Sequence, residues 1–197
     1  MSVKSHFITI VLDGMPFIKD QFDLIRESDV DWEWHIVEGV ARAINCTRWC
    51  KEMWPRLSND GTTQFIESLK SLPNVYVYQN VIWDGKISMV NAPLNKIDEP
   101  GLIWQLDVDE YWKPEMFGKM VKAFEEEPEK SESHFRCRYF VGPEAYIKNH
   151  DCWGNRTSSE WRRVWRWAPG QLFMSHEPPT MTTTMLDPFT HDETESM

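Results

Sequence analysis

From residue 6 to residue 128 the chain alternates β-rich runs with segments of helical period, and this restricts the fold more than any other feature. "HFITIVLDG" is a β-branched and aromatic run ending in a turn signal. "MPFIKDQFDLIRES" follows, with Pro16 placed for a first helical turn and Phe17, Ile18, Phe22 and Ile25 at helical spacing. "WEWHIVEG" predicts a second strand closed by Gly39, and "TTQFIESLKSLP" a helix capped by Thr62 or Thr63 with Pro73 just past its end. "NVYVY" predicts a third strand, "KISMVNAPLNKI" a helical segment restricted by Pro93, "GLIWQLDVD" a fourth strand, and "KPEMFGKMVKAFEEEP" a helix starting at Pro114 and ending before Pro128. Strands alternating with helices predict crossover units and a mostly parallel sheet covered on both faces.

After Pro128 the pattern changes to antiparallel. "HFRCRYFVG" alternates, and so does "WRRVWRWAPG", which puts Arg163, Trp165 and Trp167 on one face and Arg162, Val164 and Arg166 on the other. "QLFMS" predicts a further short strand, and the weakly periodic stretch 181–197 a flexible tail. At 197 residues and 41% hydrophobic content the chain is expected to fold as one α/β domain.

A formal net charge of −10 argues against a nucleic-acid partner, because phosphate binding needs a cationic footprint. No apolar run approaches the length of a transmembrane helix and no signal peptide is evident, so a cytoplasmic protein is expected. Cys46, Cys50, Cys137 and Cys152 form no C-x-x-C pair and read as reduced thiols. The sequons at Asn45 and Asn155 would matter only in a secreted chain. Eleven Trp residues suit a core or stacking on sugar rings and bases, and composition does not choose between these.

The fourth strand runs into Asp107, Asp109 and Glu110. In an open parallel sheet, ligands sit beyond the carboxyl ends of strands. Asp107 and Asp109 are two apart and would point the same way on a continuing strand, where two like charges are costly unless a cation neutralises them. A hard divalent ion with diphosphate oxygens completing its shell is one answer. The other is a solvated acidic turn or a cap for the helix at Pro114. An EF-hand is excluded, since its glycine and glutamate positions hold Trp112 and Gly118.

The segment "GKISMVNAPL" (85–94) resembles the "GK-x-x-A-x-N-x-G-x" segment that precedes the D-x-D strand in family 2 glycosyltransferases. With it, the order of elements over residues 6–180 looks like a GT-A glycosyltransferase. That resemblance implies a Rossmann-like nucleotide-sugar-binding half over 1–112 and an acceptor side over 113–180. It implies a donor such as a UDP, GDP or dTDP sugar, a glycan or glycoconjugate acceptor, and Mn²⁺ or Mg²⁺ as cofactor.

Carried over by position, Asp109 matches the aspartate that binds the metal, and Asp107 the one nearer the ribose and a metal-bound water. Lys86 and Asn91 match the segment that positions the nucleotide, although Lys86 also reads as an exposed lysine opening a helix. Glu38 stands where the family reads the base edge. Asp13, in "VLDGMPF", stands where the family has "V-x-x-Y-N" and is a base or ribose contact. His176, in "MSHEPP", matches a late histidine that completes the metal shell in several GT-A enzymes, and an imidazole beside two carboxylates favours Mn²⁺. The alternative is a histidine held by loop hydrogen bonds.

For an acceptor base the chain offers Glu160, beside Trp161, and Asp151. Either reads equally as an ordinary partner of Arg162, Arg163 or Arg166, and those arginines also read as facing a diphosphate. Trp153 and Trp161 are expected as acceptor-stacking residues; Trp104, Trp165 and Trp167 are expected in the core. Two other readings are a nucleotidyltransferase, against which no early "G-x-G-T-R" loop is found, and a binding domain without turnover.

Overall fold

The computed structural model describes residues 3–43, 53–135, 139–140, 146–147, 161–176 and 179–182. Asp151, Trp153, Glu160, the four cysteines, both sequons and the tail beyond residue 182 lie outside them, and Trp161 is described by its backbone alone. In chain order the elements are β1 (Ser5–Val11), α1 (Phe17–Arg26), β2 (Trp32–Ala41), α2 (Thr62–Leu69), β3 (Val75–Trp83), α3 (Lys86–Leu94), β4 (Gly101–Gln105) and α4 (Pro114–Glu126). Then follow β5 (Glu132–Phe135), β6 (Tyr139–Phe140), β7 (Tyr146–Ile147), β8 (Trp161–Trp167), β9 (Phe173–His176) and β10 (Pro179–Met181).

The central sheet has the order β3-β2-β1-β4-β8-β5. β1, β2, β3 and β4 run parallel, as βαβ crossovers require, while β8 lies antiparallel beside β4 and β5 antiparallel beside β8. Apolar residues fill both faces. On one, Phe7, Trp34, Ile36 and Trp104 pack with Ile18 of α1, Ile66 of α2 and Phe117 of α4. On the other, Ile8, Ile103, Trp165 and Trp167 pack with Val90 of α3 and Phe173 of β9. Period-2 alternation therefore sends Trp165 and Trp167 to the α3 face and Val164 to the α4 face, as the sequence predicts.

Four boundaries differ from expectation. β2 does not close at Gly39 but continues to Ala41, because Gly39 faces two residues of β3 in a bulge. Its φ is +136°, and a Cβ there would stand 1.8 Å from the Asn80 carbonyl oxygen, so glycine serves close backbone approach rather than termination. β3 gains the same extension, to Trp83. β4 stops at Gln105 instead of reaching Asp109, since Asp107–Glu110 forms a turn closed by Glu110 N–H donating to the Asp107 carbonyl at 3.0 Å. Neither Thr62 nor Thr63 caps α2; Gly61 holds that position, and Asp60 Oδ1 accepts the Thr62 N–H at 3.0 Å. Both threonine hydroxyls are committed elsewhere.

Candidate active site

At the carboxyl ends of β1 and β2 lies the segment 56–63, where Arg56 N–H donates to the Val81 carbonyl of β3 at 2.8 Å. Glu38 is fully buried there, and its carboxylate accepts from Ser58 N–H at 3.1 Å, Thr63 Oγ1 at 2.5 Å and Gln79 Nε2 at 2.9 Å. A buried carboxylate must be matched by donors, and these three supply them. Asp13, with φ of +55°, receives the Arg56 guanidinium and the Asn59 N–H at 3.0 Å, while its own N–H donates to Ser58 Oγ at 3.0 Å. The Arg56 hydrogen bonds hold its carboxyl below the usual range. Gly14 N–H donates to Thr62 Oγ1 at 2.8 Å. Asp13 and Glu38 thus organise one loop, residues 56–63, over the ends of β1 and β2.

At the ends of β4 and β8 the acidic turn meets a cation from this chain itself. Arg163, 2% exposed, donates from Nε to both Glu110 oxygens at 2.9 and 3.0 Å and from Nη2 to Asp107 Oδ2 at 2.8 Å. This fork geometry is what a guanidinium offers two carboxylates. Burial is the largest influence on Glu110 and pushes its pKa up, with the Arg163 charge opposing. Asp107 and Glu110 therefore share one guanidinium, which compensates one of their two negative charges. Asp109, on the outer side of the turn, is exposed and makes no hydrogen bond to another described residue.

β9 brings the histidine to the same place. Asn91 clamps β9, accepting from Phe173 N–H at 2.8 Å and donating to the Phe173 carbonyl at 2.9 Å, so its amide is spent on positioning. His176 Nε2 then lies 3.1 Å from Gln105 Nε2, the last residue of β4. Burial, helped by the charges of Lys86 and Arg163 and opposed by Asp107, pushes His176 down to about 4. Its imidazole is neutral at pH 7, the form that ligates metals.

The structure thus brings Asp107 and Glu110 onto Arg163, sets His176 within electrostatic reach of Lys86, Asp107 and Arg163, leaves Asp109 exposed on the turn, and sets Asp13 and Glu38 at the neighbouring strand ends. Asp107, Asp109 and His176 do not bring three ligand atoms within 4.8 Å of one another; among the described residues only His6, Glu33 and His35 meet that spacing. The donor set at the turn nevertheless fits a hard divalent ion held by one exposed carboxylate, with an uncharged imidazole near and phosphate oxygens supplying the rest.

Sequence reasoning named Arg163 without assigning it to the turn, because the pairing spans 56 positions. It missed Gln105 and the loop 56–63. "SNDGT", with an aspartate before a helix-opening glycine, was the readable signal for that loop.

A parallel α/β sheet with β8 inserted antiparallel beside β4, and an acidic turn at the strand ends, is the GT-A architecture. The chain belongs to glycosyl transferase family 2, whose family model matches residues 57–183. The match begins at the loop that Asp13 and Glu38 hold.

Among solved structures, the chain is similar to S. aureus TarS 1-349 in complex with UDP-GlcNAc, at 18% identity and TM-score 0.47 over 62% of this chain and 31% of that one. It is similar to mannosyltransferase PcManGT from Pyrobaculum calidifontis in complex with GDP-Man and Mn²⁺, at 18% identity and TM-score 0.48 over 63% and 33%. It also resembles a 4-diphosphocytidyl-2C-methyl-D-erythritol synthase, at 9% identity and TM-score 0.47 over 84% and 76%. The chain spans about a third of the length of the TarS 1-349 structures. No curated protein matches it. No helix among the described residues is long and apolar enough to cross a membrane.

Proposed function

We propose that this chain is a metal-dependent glycosyltransferase domain that moves a sugar from a nucleotide-diphosphate sugar to a hydroxyl of a glycan or glycoconjugate. The observation that carries this reading is the convergence of Asp107, Arg163, Lys86 and His176 at one set of strand ends. Family membership supplies the reaction class. Residues 1–112 form the nucleotide-sugar half in this reading, and 113–180 the acceptor side.

Each residue has a stated task. Arg163 fixes Asp107 and Glu110, so the turn leaves Asp109 exposed while the other two carboxylates share one guanidinium. Asp109 is the direct metal contact, with Asp107 and His176 beside it. Mn²⁺ or Mg²⁺, when bound, supplies charge neutralisation for the departing diphosphate. Lys86 adds a cation at the N-terminus of α3, where helix N–H groups also favour phosphate. Asp13 and Glu38 shape the nucleoside end through the loop 56–63 that they hold, and Asn91 positions β9 and His176. For an inverting reaction Glu160 is the preferred base, with Asp151 second, and Trp153 and Trp161 stack on the acceptor.

Calorimetry with UDP, GDP and dTDP sugars, each with Mn²⁺ and with chelator, tests the reading. Metal-dependent binding of one nucleotide family is expected. Absence of binding to all three donors would return the acidic turn to a structural role.

A further inference from the structure

At the opposite end of the sheet, three side chains are arranged as a metal site that the donor chemistry does not use. His6 on β1 and Glu33 and His35 on β2 project from the α3 face of the sheet, since His6 pairs in register with Glu33 and period 2 carries His35 to the same side. From His6 to Val11, at the other end of β1, is about 17 Å at strand rise, so this cluster is separate from the donor site.

The geometry points to a site for one transition-metal ion of the zinc class, held by His6 Nδ1, Glu33 Oε2 and His35 Nε2. Glu33 Oε2 lies 3.1 Å from His6 Nδ1 and 3.5 Å from His35 Nε2, and the three ligand atoms are all within 4.8 Å of one another. Ligands about 2.1 Å from a tetrahedral ion stand about 3.4 Å apart, so little movement is needed. Both imidazoles are almost wholly buried, at 1% and 2% exposure. His35 Nε2 is buried without a hydrogen-bond partner and is aimed at the carboxylate from a distance that suits two ligands of a shared ion better than a hydrogen bond.

Outer contacts fix the set. The Tyr78 hydroxyl lies 3.2 Å from His35 Nδ1, which orients the ring and leaves Nε2 facing inward. Lys4 Nζ holds the other Glu33 oxygen at 2.7 Å. Its positive charge and that of Lys96 oppose a cation, and Asp98 and Glu99, lining the same cleft, offset the two lysines. The cleft has a volume of about 180 Å³ and opens to solvent. Three protein ligands with water or a small anion in the fourth position follow from that opening.

The site is tested by stripping the full chain with chelator and titrating it with Zn²⁺ by calorimetry and with Co²⁺ by visible absorption. One ion is expected to bind the parent and the Asp109→Ala chain alike, with the intense visible bands of four-coordinate Co²⁺. Glu33→Gln and His35→Gln are expected to lose about tenfold or more in affinity, to lose those bands, and to lose the Zn²⁺-induced rise in thermal midpoint. Glu33 is 17% exposed, so Glu33→Gln carries the test if the His35 variant does not fold. Equal Zn²⁺ affinity in Glu33→Gln and parent, or no Zn²⁺ binding by the folded parent, overturns the site and leaves a hydrogen-bonded histidine cluster.

Discussion

Arg163 donates from Nη2 to Asp107 Oδ2 across 2.8 Å, joining β8 to the turn that follows β4. The same guanidinium holds Glu110 through Nε, so one buried cation sets the shape of the acidic turn. Arg163→Met removes that cation and leaves Glu110 buried without its partner. A loss of about 3 kcal/mol in urea unfolding is expected, together with weaker donor binding in calorimetry. Unchanged stability would mean that water or a displaced cation takes over the turn.

Asp109 carries no such structural load, being exposed at the outer side of the turn. Asp109→Ala is expected to keep the parent's unfolding midpoint and to abolish the Mn²⁺-dependent part of donor affinity. Retained metal-dependent binding in this variant would remove Asp109 from the site.

Asn91 gives both hydrogen bonds of its amide to Phe173. Asn91→Ala leaves two backbone groups unmatched at a part-buried position, and a loss of about 2 kcal/mol is expected. Donor binding should fall as well, because β9 carries His176. A stability loss with normal donor affinity would show that β9 holds its place without the clamp.

His176 gives a pH signature in the metal-free chain. Its pKa is about 4 in the folded state against 6.5 for a free imidazole, so the unfolded state binds more protons between those values. Stability therefore falls as pH drops from 6.5 toward 4, by at most about 3 kcal/mol from this one group. His176→Gln, unfolded in chelator at several pH values, should show a shallower slope over that window. An unaltered slope would assign the acid sensitivity to other histidines.

Gly39→Ala tests the bulge. With a Cβ falling 1.8 Å from the Asn80 carbonyl oxygen, either the β2–β3 register or the chain's solubility is expected to fail. A stable, well-expressed Gly39→Ala protein would mean that the bulge relaxes cheaply.

The elements were legible where their signal is local. Alternation in "WRRVWRW" placed Arg163, Trp165 and Trp167 together because a strand's period depends only on its own residues. Gly39 was read as a stop because glycine looks alike at a strand end and in a bulge, and only the extra residue of β3 distinguishes them. The turn at Asp107 was legible as a charge that needs neutralising. That Arg163 pairs with both Asp107 and Glu110 was not, because it depends on β8 pairing with β4. Glu33 and His35 are two apart and share a face, but nothing in the sequence says that His6 stands beside them until β1 and β2 are in register.

The edge of the sheet adds a consequence of its own. Phe135 and Trp161 are register partners where β5 meets β8, which closes the outermost ladder of the six-stranded sheet. β8 is therefore an interior strand, with β5 taking the edge, and ladder pairing on both of its sides keeps Arg163 on a strand that has no free edge to offer another chain.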